Sequence, residues 1–211
     1  MKQAALAMID AFYARESHLA CTKEALTATV EAILHCYAER GKLLTAGNGG
    51  SAADAEHITG ELLKSFLRSR PLDEAFLEKY QSLFGEDPPQ GLEGSLPAVF
   101  LGGNFPIITA TLNDIGAETA FAQQALGLCN PGDVLLAIST SGNSKLLMAA
   151  MKVAKAKGGT CVLLTGRSGG KLRALADMAI LAPADETYRI QELHVMLYHL
   201  ICAAIEEDIW G

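Results

Sequence analysis

Five short, nearly unbroken apolar runs constrain this chain more than any other feature: 42–46, 98–101, 134–138, 160–164 and 178–181. Each is strand-sized, and most are followed by a segment with apolar residues at helical spacing. Strands apolar on every position must be covered on both faces. Short strands alternating with helices place them in a parallel sheet between two helical layers, a three-layer α/β/α fold. The chain has 211 residues, enough for a substantial core.

Two helices precede the first strand, on apolar spacings through Leu6, Ile9, Phe12 and Tyr13 and through Leu26, Val30, Ile33, Leu34 and Tyr37. The expected organisation is one domain over 1–211, with residues 1–40 as N-terminal helices for oligomerisation. Residues 71–97 hold four of the seven prolines, and 73–84 predicts a short amphipathic helix inside a surface insertion or arm. Later helices are predicted at 107–112, 117–126, 145–157 and 188–208.

Composition removes several classes of function. Seventeen basic residues against 24 acidic give a net charge of −7, the wrong sign for a protein that neutralises nucleic-acid phosphates or docks on an anionic membrane. No run approaches the roughly 20 apolar residues of a membrane helix. The N-terminal stretch, broken by Asp10 and Arg15, lacks a signal-peptide pattern. Five widely spaced cysteines without a C-x-x-C read as buried thiols of a reducing cytosol.

Two loops stand where strands end: GNGGS at 47–51 and STSGNS at 139–144. Ligands of open α/β sheets bind at that edge, facing the N–H groups of helix N-termini. Ser51, Ser139, Thr140, Ser141 and Ser144 add hydroxyls, and Gly49, Gly50 and Gly142 allow close backbone approach. Each loop alone reads equally as cap and turn; two on one edge favour an anion site. Neither is a Walker loop or a G-x-G-x-x-G fingerprint.

His57 and Glu61, at i and i+4, share a face of the helix that starts at the first loop, suiting a divalent metal or acid–base work. H-x-x-x-E also occurs on ordinary solvated faces. On the last helix, His194 reads as a core histidine satisfied by hydrogen bonds. Gln191 and His199 lie about 80° apart around the helix and about 12 Å along it. They meet one ligand only if Gln191 sits at the helix entry and reaches inward. Asn113 and Asp114 read first as a helix-end turn or cap.

Taken in order, GNGGSAADAEH, ISTSGNS, LTGRSGG and RIQELH make the chain resemble a sugar isomerase (SIS) domain of the flavodoxin-like or Rossmann-like kind. More closely it resembles the sedoheptulose 7-phosphate isomerases, also called phosphoheptose isomerases, over nearly its whole length. The resemblance implies an aldose–ketose isomerase that makes D-glycero-D-manno-heptose 7-phosphate, the first step toward activated heptose. It implies a cytoplasmic homotetramer with sites shared between subunits, and one Zn2+ per site. The implied substrate-binding positions are Asn48, Gly49, Gly50, Ser51, Asn113, Asp114, Ser139, Thr140, Ser141, Ser144 and Gln191. The implied metal positions are His57, Glu61, Gln191 and His199, with Glu61 and His199 as the acid–base pair.

Two departures stand out. The 71–97 stretch is longer than the usual link at this place, and Tyr188 precedes R-I-Q-E where the family often has a small or acidic residue. The rival readings are a non-catalytic SIS-domain relative that binds the bacterial replication initiator, and an isomerase or sensor for another sugar phosphate. The joint presence of Glu61 and His199 favours the enzyme. A chain with charge −7 must hold a phosphate dianion locally, so affinity is expected to depend on the two loops and only weakly on ionic strength.

Overall fold

A computed structural model describes all 211 residues. The chain runs α1 (Gln3–Arg15), α2 (Lys23–Ala38), β1 (Leu43–Gly47), α3 (Gly50–Leu63), α4 (Glu74–Phe84), β2 (Ala98–Phe100), α5 (Phe105–Asp114), α6 (Ala120–Leu128), β3 (Val134–Ser139), α7 (Lys145–Ala156), β4 (Thr160–Gly166), β5 (Met178–Ala182) and α8 (Thr187–Trp210). The expected α/β/α architecture is present. The predicted helix at 117–126 is split, because residues 117–119 wind as a 3₁₀ turn before α6 begins.

All four strand pairings are parallel, in the order β2-β1-β3-β4-β5. Alternate side chains of each strand feed two cores. Leu43, Leu136, Ile138 and Leu164 pack with α1, α2, α3 and α8. Leu44, Leu135, Ala137 and Leu163 pack with α6 and α7 on the other face. Burial on both faces explains why these strands carry no polar alternation. Thr45 is the exception in β1. It is fully buried, and its hydroxyl donates to the Ala55 carbonyl at 2.9 Å and lies 2.9 Å from the Thr59 hydroxyl, tying β1 to α3.

The strand order reverses direction between β1 and β3, so the loops that follow them are neighbours at the switch point, where ligands of such sheets bind. At the opposite edge Asp133 accepts from the Lys42 and Asn130 backbone N–H groups at 2.9 and 2.7 Å and from the Lys42 ammonium at 2.6 Å. The 71–97 stretch carries α4, which buries no residue and leaves Phe76, Leu83 and Phe84 exposed. No helix is long and apolar enough to cross a membrane.

His194 sits in the core as its place in an apolar helix implies, with 0% exposure. Neither ring nitrogen makes a well-formed hydrogen bond, and only the Thr165 backbone lies near enough to oppose the effect of burial. Burial pushes its pKa down to about 4. Between pH 6.5 and 4 the unfolded chain therefore binds a proton that the folded chain refuses, and stability falls as pH falls through that window. The urea midpoint of the wild type should drop on acidification by an amount worth about 3 kcal/mol from this residue. His194→Leu should remove that share of the dependence; equal acid sensitivity in both proteins would show that His194 does not titrate there.

Candidate active site

The first candidate loop, 47–51, is shaped by a close return of the chain. A Cβ on Gly47 would collide with the Ser51 carbonyl, and Gly49 takes a positive φ of 57°. This turn starts α3 directly at Gly50, two residues before the apolar pattern alone places it. Asn48, Gly49 and Gly50 are exposed at the sheet edge, while Ser51 is 3% exposed beneath them. Within the first turn of α3 the N–H groups of Ser51, Ala52 and Ala53 already bond to the Asn48 and Gly49 carbonyls at 3.0 to 3.3 Å, so the loop offers a ligand chiefly the exposed backbone at Gly49 and Gly50 and the positive end of the helix dipole.

The second loop is held by its own side chains. Ser139 accepts from the Gly142 N–H at 3.2 Å, Ser141 accepts from the Asn143 N–H at 3.3 Å, and Ser144 caps α7 by accepting from the Leu147 N–H. Asn48 donates to the Ser144 hydroxyl at 2.8 Å and so joins the two loops. The sequence reading missed the part played by the third loop, 166–170. Leu172 donates to the Gly142 carbonyl at 2.9 Å, Lys171 to the Asn143 side chain at 3.1 Å, and Gly166 to the Thr140 carbonyl at 3.1 Å. Thr140, Ser141, Asn143, Arg167 and Ser168 line a polar cavity of about 250 Å³ between these loops. The repeated glycines of TGRSGG are the signal for it: a Cβ on Gly170 would strike the carbonyls of Ser141 and Gly142.

Along α3 the second half of the site appears. His57 Nε2 lies 2.9 Å from Glu61 Oε1, and His57 Nδ1 lies 3.0 Å from the Tyr198 hydroxyl. The His57 and His199 rings meet edge to face at 5.1 Å. The expected histidine–glutamate face and the expected histidine of α8 therefore come together. His199 Nε2 is buried without a partner. Burial first, and then the neighbouring His57, push the His199 pKa below the ordinary imidazole value, while Glu61 opposes this. Tyr198 and Asp54 carry no signal in the sequence beyond a buried helical position. Burial and then the Asp54 carboxylate raise the Tyr198 hydroxyl, so it stays protonated, and burial raises Asp54.

Gln191 is not part of this cluster within one chain. Its amide packs on Gly50, two turns of α8 away from His199. Asn113 and Asp114 are exposed at the end of α5 and bond to each other at 2.7 Å. Tyr188 is exposed and stacks under Arg189.

The cluster's donors suit zinc, which takes imidazole nitrogen and carboxylate oxygen. The Tyr198 contact at Nδ1 leaves Nε2 as the nitrogen His57 can offer, and the orphaned Nε2 of His199 is a second. The side chains are not closed into a cage: His57 Nε2 is engaged with Glu61, and no three His, Cys, Asp or Glu residues stand ready as one ligand group.

Family models described as SIS domain match residues 98–205 and 9–86. The phosphoheptose isomerase of Burkholderia pseudomallei (strain K96243) is 42% identical over 192 residues, covering 89% of this chain and 86% of that protein. Among solved structures, a phosphoheptose isomerase from Francisella tularensis superposes with a TM-score of 0.74 at 29% identity, covering 97% and 98% of the two chains. The phosphoheptose isomerase of Neisseria gonorrhoeae gives 0.70 at 32% identity, covering 93% and 97%.

Gly142 tests the loop geometry. Its φ is +64°, and a Cβ there would collide with the Gly169 carbonyl. Gly142→Ala should lower stability by about 2 kcal/mol and weaken binding of inorganic phosphate measured by calorimetry. Unchanged phosphate affinity would remove the loop pair as the anion cradle.

Proposed function

The chain belongs to the phosphoheptose isomerase family of SIS-domain proteins, and from this premise we propose how its residues isomerise sedoheptulose 7-phosphate to D-glycero-D-manno-heptose 7-phosphate. The carrying observation is the meeting of Glu61, His57 and His199 on two helices whose first turns border the anion loops. The phosphate is held by N–H groups at the start of α3 and by the hydroxyls of Ser51, Ser139, Thr140, Ser141 and Ser144. Asn113, Asp114 and Gln191 take the sugar hydroxyls.

In the ketose, Glu61 removes a proton from C1 while His199 donates one to the C2 carbonyl oxygen, giving the 1,2-enediol. Return of the carbon-bound proton to C2 and loss of the O1 proton give the aldose, with no net change in protons. His199 suits the oxygen side, because its lowered pKa keeps it a neutral imidazole that can give and regain a proton near pH 7. His57 orients Glu61, and Tyr198 orients His57. Zinc held by His57, Glu61 and His199 would supply Lewis-acid stabilisation of charge on the sugar oxygens when bound, without Gln191, which packs on Gly50.

Glu61→Gln and His199→Gln should each lose at least about 100-fold in turnover, and His199→Gln should hold less zinc than wild type by metal analysis. Full activity in both variants overturns the acid–base pair. A fully active wild type free of zinc overturns the metal.

A cytoplasmic homotetramer with shared sites is part of the same proposal. From Ser51 to Glu61 the helix rises about 15 Å, longer than an extended seven-carbon sugar phosphate. A ligand in one chain's loops therefore meets its acid–base cluster most readily on a second copy. Mixing the impaired Glu61→Gln subunits with the impaired Gly142→Ala subunits should then raise activity above that of either alone, because some sites receive two intact halves. No restoration in refolded mixtures would place each site within one chain.

A further inference from the structure

The acid–base cluster occupies the far end of α3, away from the anion loops, and what fixes that end is a side chain outside the site. Arg70 follows α3 in the 64–97 stretch and its side chain is 0% exposed. It donates Nη2 to the Glu61 carbonyl and Nη1 to the Leu62 carbonyl, both at 2.7 Å, and Nε to Glu206 at 2.7 Å. The last carbonyls of a helix have no helical donor, so a cation placed there both satisfies them and meets the negative end of the dipole. Glu206, on α8 and 1% exposed, also accepts from the backbone N–H groups of Phe66, Leu67 and Arg68. Trp210 closes the pocket over the guanidinium at 4.8 Å. Glu206 stands seven residues beyond His199 on α8, about two turns along one helix.

We propose that Arg70, locked by Glu206, is a positioning residue that sets the backbone of Glu61 relative to His199. It touches no substrate position. It bridges the last turn of α3 to the helix that carries His199, and its planar fork matches two carbonyls and one carboxylate at once. Lysine at this place supplies the charge but not the three fixed directions. This inference rests on the acid–base assignment above.

The experiment compares wild type, Arg70→Lys and Glu206→Gln, each checked for folding by thermal melting. It measures isomerisation of sedoheptulose 7-phosphate, binding of inorganic phosphate, and the ring-nitrogen NMR signals of His57 and His199. In folded variants kcat should fall by about 10–100-fold, with KM and phosphate affinity within about threefold of wild type and the His57 signal shifted as its bond to Glu61 alters. A merely structural defect moves neither the kcat-to-KM split nor the ring signals in this selective way. Unchanged kcat and unchanged ring signals in a folded variant overturn the role. If one variant fails to fold, the other decides. If neither folds, the pair serves stability alone and the role is overturned. A wild type that turns over no sedoheptulose 7-phosphate counts against the isomerase reading instead, and the ring signals still decide Arg70.

Discussion

Parallel pairing sends the carboxyl end of every strand to one edge, and the rest of this molecule depends on that constraint. β1, β2 and β3 are each followed by a crossover that begins with a helix, and those helix N-termini collect along the same edge. Reversal of strand order between β1 and β3 then sets two such termini side by side. The bond from Asn48 to Ser144 is a direct consequence: two loops 96 residues apart in sequence become one surface.

Net charge gives this arrangement its meaning. At −7 the chain repels a phosphate dianion at long range. Attraction must come at short range, from fixed dipoles and from the Arg167 guanidinium that lines the cavity between the loops, where screening by salt is weak. That demands backbone held to sub-ångström tolerance, and the glycines supply it. Gly142 and Gly170 let two loops approach until a methyl group on either would strike a carbonyl. The third loop thus works mainly as a brace that keeps N–H groups and hydroxyls of the second loop facing one space.

The sheet, its helices and the two glycine-serine loops at the strand ends were legible in the sequence because each rests on local pattern. Apolar runs, helical spacing and glycine-serine turns are written within a few residues. The pairing of His57 with Glu61 was legible for the same reason, since i and i+4 share a face. What lay beyond reach depends on contacts across the fold. Tyr198 reads as one more apolar position of α8 until α3 is laid beside it. Arg70 is a single arginine before a proline, and its partner is 136 residues away. His194 lies in the core as its apolar helix implies, but of the hydrogen bonds expected for it only a weak approach of the Thr165 backbone is present.

The buried charges separate these two kinds of information. Asp133 and Lys42 join at the edge opposite the loops, where they fasten the start of β3 to the start of β1. Arg70 and Glu206 are buried more completely, beside the cluster of Glu61 and His199. A buried ion pair is a poor device for stability alone, because well-packed apolar residues of similar volume often do as well or better. It is a good device for direction, since guanidinium and carboxylate accept only a few geometries. An apolar core would hold α3 against α8 with some freedom to slide. Three short bonds from one planar group remove that freedom at the turn that carries Glu61. The chain thus uses packing for its fold and hydrogen-bonded charge for the one distance its chemistry cannot let vary.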